Sequence, residues 1–535
     1  MAAGALWGAL VLSSCQQPQQ ATAKAVPPVK ADLYKPDTAF PELFAAVQTQ
    51  MIFADSKTFV DASPKQNPGE IAALYQSEKS KQHFALKAFV EQHFDLPPPL
   101  PVTRVAQETD MKSHLQNHWA NLVRDPQKTA SYSTLIPLPH PYVVPGGRFR
   151  EMFYWDTYFT MLGLLRSGQD ELARGMIDNF AYLIDTYGYI PNGNRSYFLT
   201  RSQPPFFALM LNAYAVNHGA QSVQQYLPQL EREYKFWMDG QGAQVASGYQ
   251  GQHLIMSAQG DLLNRYYGNA NKPRTEAYNK ELGWAQALPE AERNGFYNNL
   301  LAACESGWDF SSRWFADGKT KTTINALDLI PVDLSSLLYV MEKTLGDMHG
   351  QAQHIKEADF YSKRAVQRKN MIAKYHYDQV TGTYQDYNFA TGKRTGQLTA
   401  AMLFPLYVGA ATPEAAASVA TFVEQKLLKP GGVVTSLTAS GEQWDFPNGW
   451  APLQFIAVQG LLNYQHEKLG LEIARRWLAL NEKVYASDGK MMEKYNVVDT
   501  EVKAGGGNYP NQDGFGWTNG VDLVFYDLLA SRAQR

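Results

Sequence analysis

The chain of 535 residues carries 48 Lys+Arg against 51 Asp+Glu, a formal charge of −3, with 45% hydrophobic and 19% charged residues. That near-neutral balance excludes a nucleic-acid binder or a polybasic membrane binder, and the apolar content is ample for a core. Two cysteines, Cys15 and Cys304, rule out a disulfide framework and a cysteine zinc site. Apolar runs all fall short of the roughly eighteen residues that would span a bilayer. The 30 Tyr, 26 Phe and 11 Trp point to a site that grips flat, weakly polar ligands.

At the amino terminus, MAAGALWGALVL is small and apolar, with the length of an export-signal core. It runs into Leu12-Ser13-Ser14-Cys15, which resembles a bacterial lipoprotein box with Cys15 as candidate lipid anchor, although no Lys or Arg precedes it. The Gln- and Pro-rich stretch that follows cannot bury a core and reads as a tether. Residues 1–30 are therefore expected to be a leader and tether for export to the periplasm. Residues 31–535 are expected to form one catalytic domain, with Cys304 as a small buried residue.

From residue 31 onward the periodicity is helical. Leu172, Met176, Phe180, Leu183, Ile184 and Tyr187 recur every three or four positions, one stripe facing a core. Similar stripes run through 71–89, 111–123, 209–216, 337–345, 416–428 and 471–484. The segment PLQFIAVQGLLNY (452–464) is apolar nearly all round and is followed by the striped LEIARRWLALNEKV. A helix apolar on every side must be covered everywhere, while a striped one can face water, so this alternation predicts an inner and an outer ring. The only strand candidates are 383–387 and 433–437. The fold class is all-α, a helical toroid.

Between the helix pairs lie loops rich in Gly, Pro, Trp, Tyr and Asn: 145–156, 189–205, 271–278, 305–315, 441–452 and 505–517. Bulky aromatics beside carboxylates, arginines and glycines are the inventory of a ligand pocket. No HExxH, GxSxG or phosphate loop occurs, and His114 and His118 read as a hydrogen-bonded pair rather than half a metal site. What remains is a set of loop carboxylates, Glu151, Asp156, Glu305, Asp309, Asp445, Glu493 and Asp513. Cleaving a glycosidic bond needs one carboxylic acid to protonate the leaving oxygen and one carboxylate to activate water or attack. Asp309, between Gly307-Trp308 and Phe310, is placed for aromatic walls to desolvate it and raise its pKa. Glu493 follows two methionines and precedes Lys494. Arg148, Arg201 and Arg274 each stand in a different aromatic loop, where a guanidinium fork can bridge hydroxyls or form a salt bridge.

Two of these loops, PGGRFREMFYWDTYF (145–159) and QWDFPNGWAP (443–452), closely resemble the signature motifs of trehalases, inverting glycoside hydrolases that cleave α,α-trehalose. NGNRSYFLTRSQPP, ESGWDFSSRWF, EKYNV and GFGWTNGV resemble further blocks of that family in the same order. The resemblance covers nearly everything from residue 31 to the end. It implies an (α/α)6 barrel, trehalose as substrate, no metal, no organic cofactor, no protein partner and a monomer. By motif it puts the general acid at Asp309 and the general base at Glu493. Substrate contacts fall on Arg148, Phe149, Trp155, Asp156, Asn192, Arg201, Gln203, Arg274, Glu276 and Gly307, with Trp444 walling the pocket. Two departures stand out: Asn508 where the family usually has Glu, and Thr275 where Pro is common. Asn508, a further substrate contact, keeps hydrogen bonding but loses a charge, which leaves open a related glycosidase for another α-linked disaccharide or glycoside. A non-catalytic sugar binder is a remoter alternative.

Overall fold

The computed structural model describes residues 33–98, 110–126, 131–239, 243–245, 248–505 and 509–533. Cys15 and Asn508 lie outside the described residues. Twelve helices build the main body: α1 (Met111–Leu122), α2 (Tyr154–Arg166), α3 (Asp170–Tyr187), α4 (Phe207–His218), α5 (Leu227–Met238), α6 (Val332–Gln351), α7 (Ile355–Met371), α8 (Phe404–Tyr407), α9 (Pro413–Phe422), α10 (Ala451–Asn463), α11 (Glu467–Asp488) and α12 (Gly516–Ala533). The even-numbered helices pack in sequence, α2 on α4, α4 on α6, α6 on α8, α8 on α10 and α10 on α12, and α12 returns to α2. That closes an inner ring. The odd-numbered helices lie outside it, as an (α/α)6 barrel requires.

Burial follows the composition of each helix. In α2 every residue from Tyr154 to Leu164 is buried, and in α12 every residue from Gly516 to Phe525. The outer α3 instead buries one stripe, Ala173, Met176, Ile177, Phe180, Leu183 and Ile184. Each such side chain taken from water contributes about 1.5–3 kcal/mol, so the inner ring is where stability concentrates. The seam between first and last inner helices is closed by glycine. A Cβ on Gly520 would stand 2.1 Å from the Phe159 carbonyl oxygen, so any larger residue pushes α12 off α2. Polar caps fix the outer helix starts. Asp110 accepts from the Lys112 and Ser113 amides at the head of α1, and Thr412 accepts from Ala415 at the head of α9.

Where the structure departs from the periodicity, local chemistry explains it. The stripe 71–89 is two helices, Pro68–Glu78 and Leu86–His93, and the stripe 416–428 ends as α9 plus a π turn at Val423–Leu427. The strand candidates are shorter than expected: Thr383–Tyr384 and Tyr387–Asn388 are separate strands, and Gly432–Val433 is a two-residue one. A four-stranded antiparallel meander, Ala243–Val245, Gly248–Gln250, Leu254–Ser257 and Leu262–Asn264, has no counterpart in the sequence reading. Its strands are three or four residues long, too short to show a period of two.

Two features carry the site. The strands Asn448–Trp450 and Lys494–Asn496 pair antiparallel with Trp450 opposite Lys494, joining the loop before α10 to the loop before α12. A separate apolar cluster of the amino-terminal helices, with Phe40, Leu43, Phe44, Val60, Ile71 and Phe89, meets the barrel at Phe153, Tyr197 and Phe198. It delivers Asp55, Ser56 and Lys57 to the mouth of the barrel. Among the described residues, no helix is long and apolar enough to cross a membrane.

Candidate active site

The aromatic loops, most of which lead into inner helices, converge on one pocket. It is lined by Arg148, Phe149, Trp155, Asp156, Asn192, Arg201, Gln203, Arg274, Glu276, Gly307, Asp309, Trp444 and Glu493. Every described residue named as a contact or catalyst from the motifs is therefore brought together. The inner pocket, about 130 Å³, opens into an outer chamber of about 900 Å³, with Ser56, Arg148, Ala277, Lys280 and Tyr509 shared by both. Its floor is a stack of indoles. Trp308 lies 5.4 Å from Trp444 at 17°, and Trp444 lies 3.8 Å from Trp450 at 4°. Behind the stack the Arg313 guanidinium sits 4.6 Å over Trp308, itself held by Asp333 and Asp386.

Asp309 follows Gly307, whose φ of 75° belongs to glycine and whose Cα faces the Trp155 indole so closely that a Cβ would come within 2.9 Å of it. The Asp309 main-chain carbonyl accepts from Gln443 Nε2 at 2.7 Å, and the next carbonyl, of Phe310, accepts from the Trp444 amide at 3.1 Å. Its side chain keeps 35% of its surface open to the cavity, with the nearest cation Arg274 at 3.9 Å. Burial pushes its carboxyl from 3.8 up to about 6, against the pull of Arg274 and Arg201 and with a further push from Glu493.

Glu493 is held on every side. Tyr509 donates to Oε1 at 2.8 Å and Lys494 Nζ lies 2.9 Å from Oε2. The Glu493 amide donates to the Gln512 carbonyl at 2.9 Å, and its own carbonyl accepts from Trp517 Nε1 at 3.0 Å. Asp156, on the first turn of α2, has its carboxyl driven well above the usual range by burial and then by the charges of Glu493 and Asp309. Three carboxyl groups thus share the pocket, and burial raises two of them, Asp156 and Asp309.

Each of the three arginines is both in the pocket and in a salt bridge. Arg148 is gripped by Asp55 through two bonds of 2.9 and 2.6 Å and lies 4.9 Å over the Tyr509 ring. Arg274 bonds Glu281 at 2.5 Å, and Arg201 bonds Glu276 at 2.9 Å. Arg201 Nε and Glu276 Oε2 are buried with no hydrogen-bond partner, polar atoms left for a ligand's hydroxyls.

The other loop carboxylates are structural. Glu151 pairs with Lys57 and Arg195, and Glu305 with His253 and the Ser202 and Tyr267 amides. Asp445 accepts from Ser311, Ser436, Ser440 and the Ser312 amide, and Asp513 faces Lys490 at 3.8 Å. His114 and His118 lie with rings 5.0 Å apart, and burial lowers His118 to about 4. Cys304 is buried beside the pocket and burial pushes its thiol up. Sequence reasoning did not single out Lys494, Tyr509, Gln443, Glu281 or Asp55 as site residues. The first three lie inside or beside motifs already quoted, so their chemistry was on view; Asp55 is 93 residues from its partner and gave no signal.

A model of the trehalase family matches residues 51–530. The chain belongs to the trehalase family of glycoside hydrolases. The periplasmic trehalase of Pseudomonas aeruginosa is 43% identical, over 99% of this chain and 98% of that protein. The periplasmic trehalase of Xanthomonas oryzae pv. oryzae is 45% identical over 94% of this chain and 88% of that protein. Among solved structures, the neutral trehalase of Saccharomyces cerevisiae superimposes with a TM-score of 0.59 at 28% identity, covering 74% of each chain. A mannosylglycerate hydrolase from Thermus thermophilus, at 15% identity and a TM-score of 0.50 over 78% of this chain and all of the other (100%), shares the fold alone. Family membership and the closed double ring of helices agree: the (α/α)6 barrel read from inner and outer helices is the trehalase-family scaffold.

Proposed function

We propose that this chain hydrolyses α,α-trehalose to two glucose molecules by a single displacement that inverts one anomeric carbon. The enzyme is periplasmic, as its relatives at 43–45% identity are named. It is read as a monomer, and Cys15 is a candidate lipid anchor. Asp309 is the general acid. It gives its proton to the bridging oxygen as the glycosidic bond breaks, so the leaving glucose departs neutral. Glu493 is the general base. It takes a proton from a water whose oxygen attacks C1 from the opposite face. Each turnover consumes one water and returns the proton from Glu493 to Asp309 through solvent.

The observation that carries this reading is the electrostatic split between the two carboxyls in one pocket. Burial raises Asp309 from 3.8 to about 6, so it keeps its proton to a higher pH than a free carboxyl does. Glu493 accepts hydrogen bonds on both oxygens, one from the Tyr509 hydroxyl and one from the Lys494 ammonium. Asp156, pushed toward its neutral form, can donate to a sugar hydroxyl without adding a third negative charge. The unpartnered Arg201 Nε and Glu276 Oε2 fit a hydroxyl-rich ligand. Turnover of α,α-trehalose against a panel of other α-linked disaccharides tests the substrate. The expected result is a preference of at least about 100-fold for trehalose, the discrimination a hydroxyl-bonding site can reach. Equal turnover of another α-linked disaccharide would overturn it.

A further inference from the structure

We propose that Lys494 and Tyr509 are positioning residues for Glu493, placing a positive charge on one carboxylate oxygen and a hydroxyl donor on the other and fixing which lone pairs remain for water. This deepens the reading of Glu493 as base and rests on it. Lys494 is 1% exposed, and among the described residues the carboxylate bridged to it is that of Glu493. A lysine placed so deep would ordinarily lose its charge or be replaced by an apolar side chain of the same volume. Here its ammonium is supported by two rings, Trp450 at 5.2 Å and Tyr509 at 5.3 Å, with Trp450 directly across the strand pair. The ammonium is thus framed by two rings and directed at one oxygen of Glu493.

Tyr509 completes the grip. Burial and the nearby Glu493 and Asp309 raise its phenol well above the usual range, so it remains a donor to Oε1. Each carboxylate oxygen has a second lone pair, and those are the only acceptor positions left for the attacking water. The charged and titratable groups facing Glu493 are Lys494, its chain neighbour, Tyr509 from the following loop, and Asp156 and Asp309 across the cavity, with Arg148 behind the Tyr509 ring. Of these only Lys494 puts a positive charge within 4 Å of the carboxylate. Removing it takes that charge away from the proposed base.

The test is the pH profile of kcat for trehalose with Lys494→Met, Lys494→Arg and Tyr509→Phe, beside Glu493→Gln. The expectation is a KM for Lys494→Met within about threefold of the parent and an acid limb moved up by about one to three pH units. Lys494→Arg returns the limb toward its original position, and Tyr509→Phe moves it up by less. An unmoved acid limb in folded Lys494→Met overturns the inference, because a purely structural ion pair would change stability and leave the limb alone. Should Lys494→Met fail to fold, Tyr509→Phe decides in the same way. Near-parental turnover in Glu493→Gln is a different failure, that of Glu493 as base.

Discussion

Asp309 and Glu493 look into the same cavity from opposite electrostatic settings. Around Asp309 the protein supplies burial, the indoles of Trp155 and Trp444 within the same pocket, and the charges of Arg274, at 3.9 Å, and Arg201. Around Glu493 it supplies a lysine, a tyrosine and two main-chain hydrogen bonds within 3.0 Å. Desolvation dominates at the first position and direct partners at the second. In the proposed mechanism this difference is what assigns the two carboxyl groups to proton donor and proton acceptor. The difference also has a cost in stability that runs in opposite directions at the two positions.

The largest effects are on turnover. Asp309→Asn and Glu493→Gln are each expected to lower kcat by about 10²–10⁴-fold or more, the range for losing a general acid or base. Steady-state kinetics on trehalose measures it, and near-parental activity in either variant breaks the assignment.

Stability sharpens the comparison. Glu493→Gln leaves the Lys494 ammonium buried without its carboxylate, and a loss of about 3 kcal/mol in unfolding free energy is expected. Asp309→Asn goes the other way. Its carboxyl titrates at about 6 in the fold against 3.8 when free, so the stability it contributes is fully present below 3.8 and is lost as pH rises through 6. The neutral amide avoids that loss, so Asp309→Asn should melt at a higher temperature than the parent at pH 7–8 and show no such gain at pH 3.5. Thermal melts at the two pH values check both signs; a destabilised Asp309→Asn at pH 8 contradicts the account of its setting. The same titration predicts that kcat/KM falls as pH rises past about 6, where Asp309 loses its proton.

The smallest effect lies at the mouth. Asp55 fixes Arg148 through two bonds without lining the inner pocket, so Asp55→Asn should loosen the arginine and raise KM a few-fold with kcat little changed. A fall in kcat of the size seen for Asp309→Asn would move Asp55 into the catalytic group.

Much of this was legible before any coordinates. The contrast between PLQFIAVQGLLNY and the striped helix after it reflects how many sides each helix must cover, and that is a local property of the chain. Gly307 and Asp309 are contiguous in one motif, but the indoles that share the pocket with Asp309 are Trp155 and Trp444, from other loops, rather than its neighbours Trp308 and Phe310. The grip on Glu493 was only half visible: Lys494 is its chain neighbour, but Tyr509 reaches it from 16 residues away. Asp55 belongs to a separate apolar cluster, and no periodicity connects it to Arg148. Nor did the seven loop carboxylates sort themselves, because Glu151, Glu305 and Asp445 sit in similar aromatic loops yet are tied to Lys57, His253 and a ring of serines. Such partners are settled by tertiary contact alone.

The most direct test of the central claim is proton NMR of enzyme freshly mixed with α,α-trehalose, read before the glucose anomers equilibrate. The account predicts α- and β-glucose in equal amounts, the α from the leaving sugar and the β from attack by water activated at Glu493. Only α-glucose would mean retention through a covalent intermediate and would contradict it.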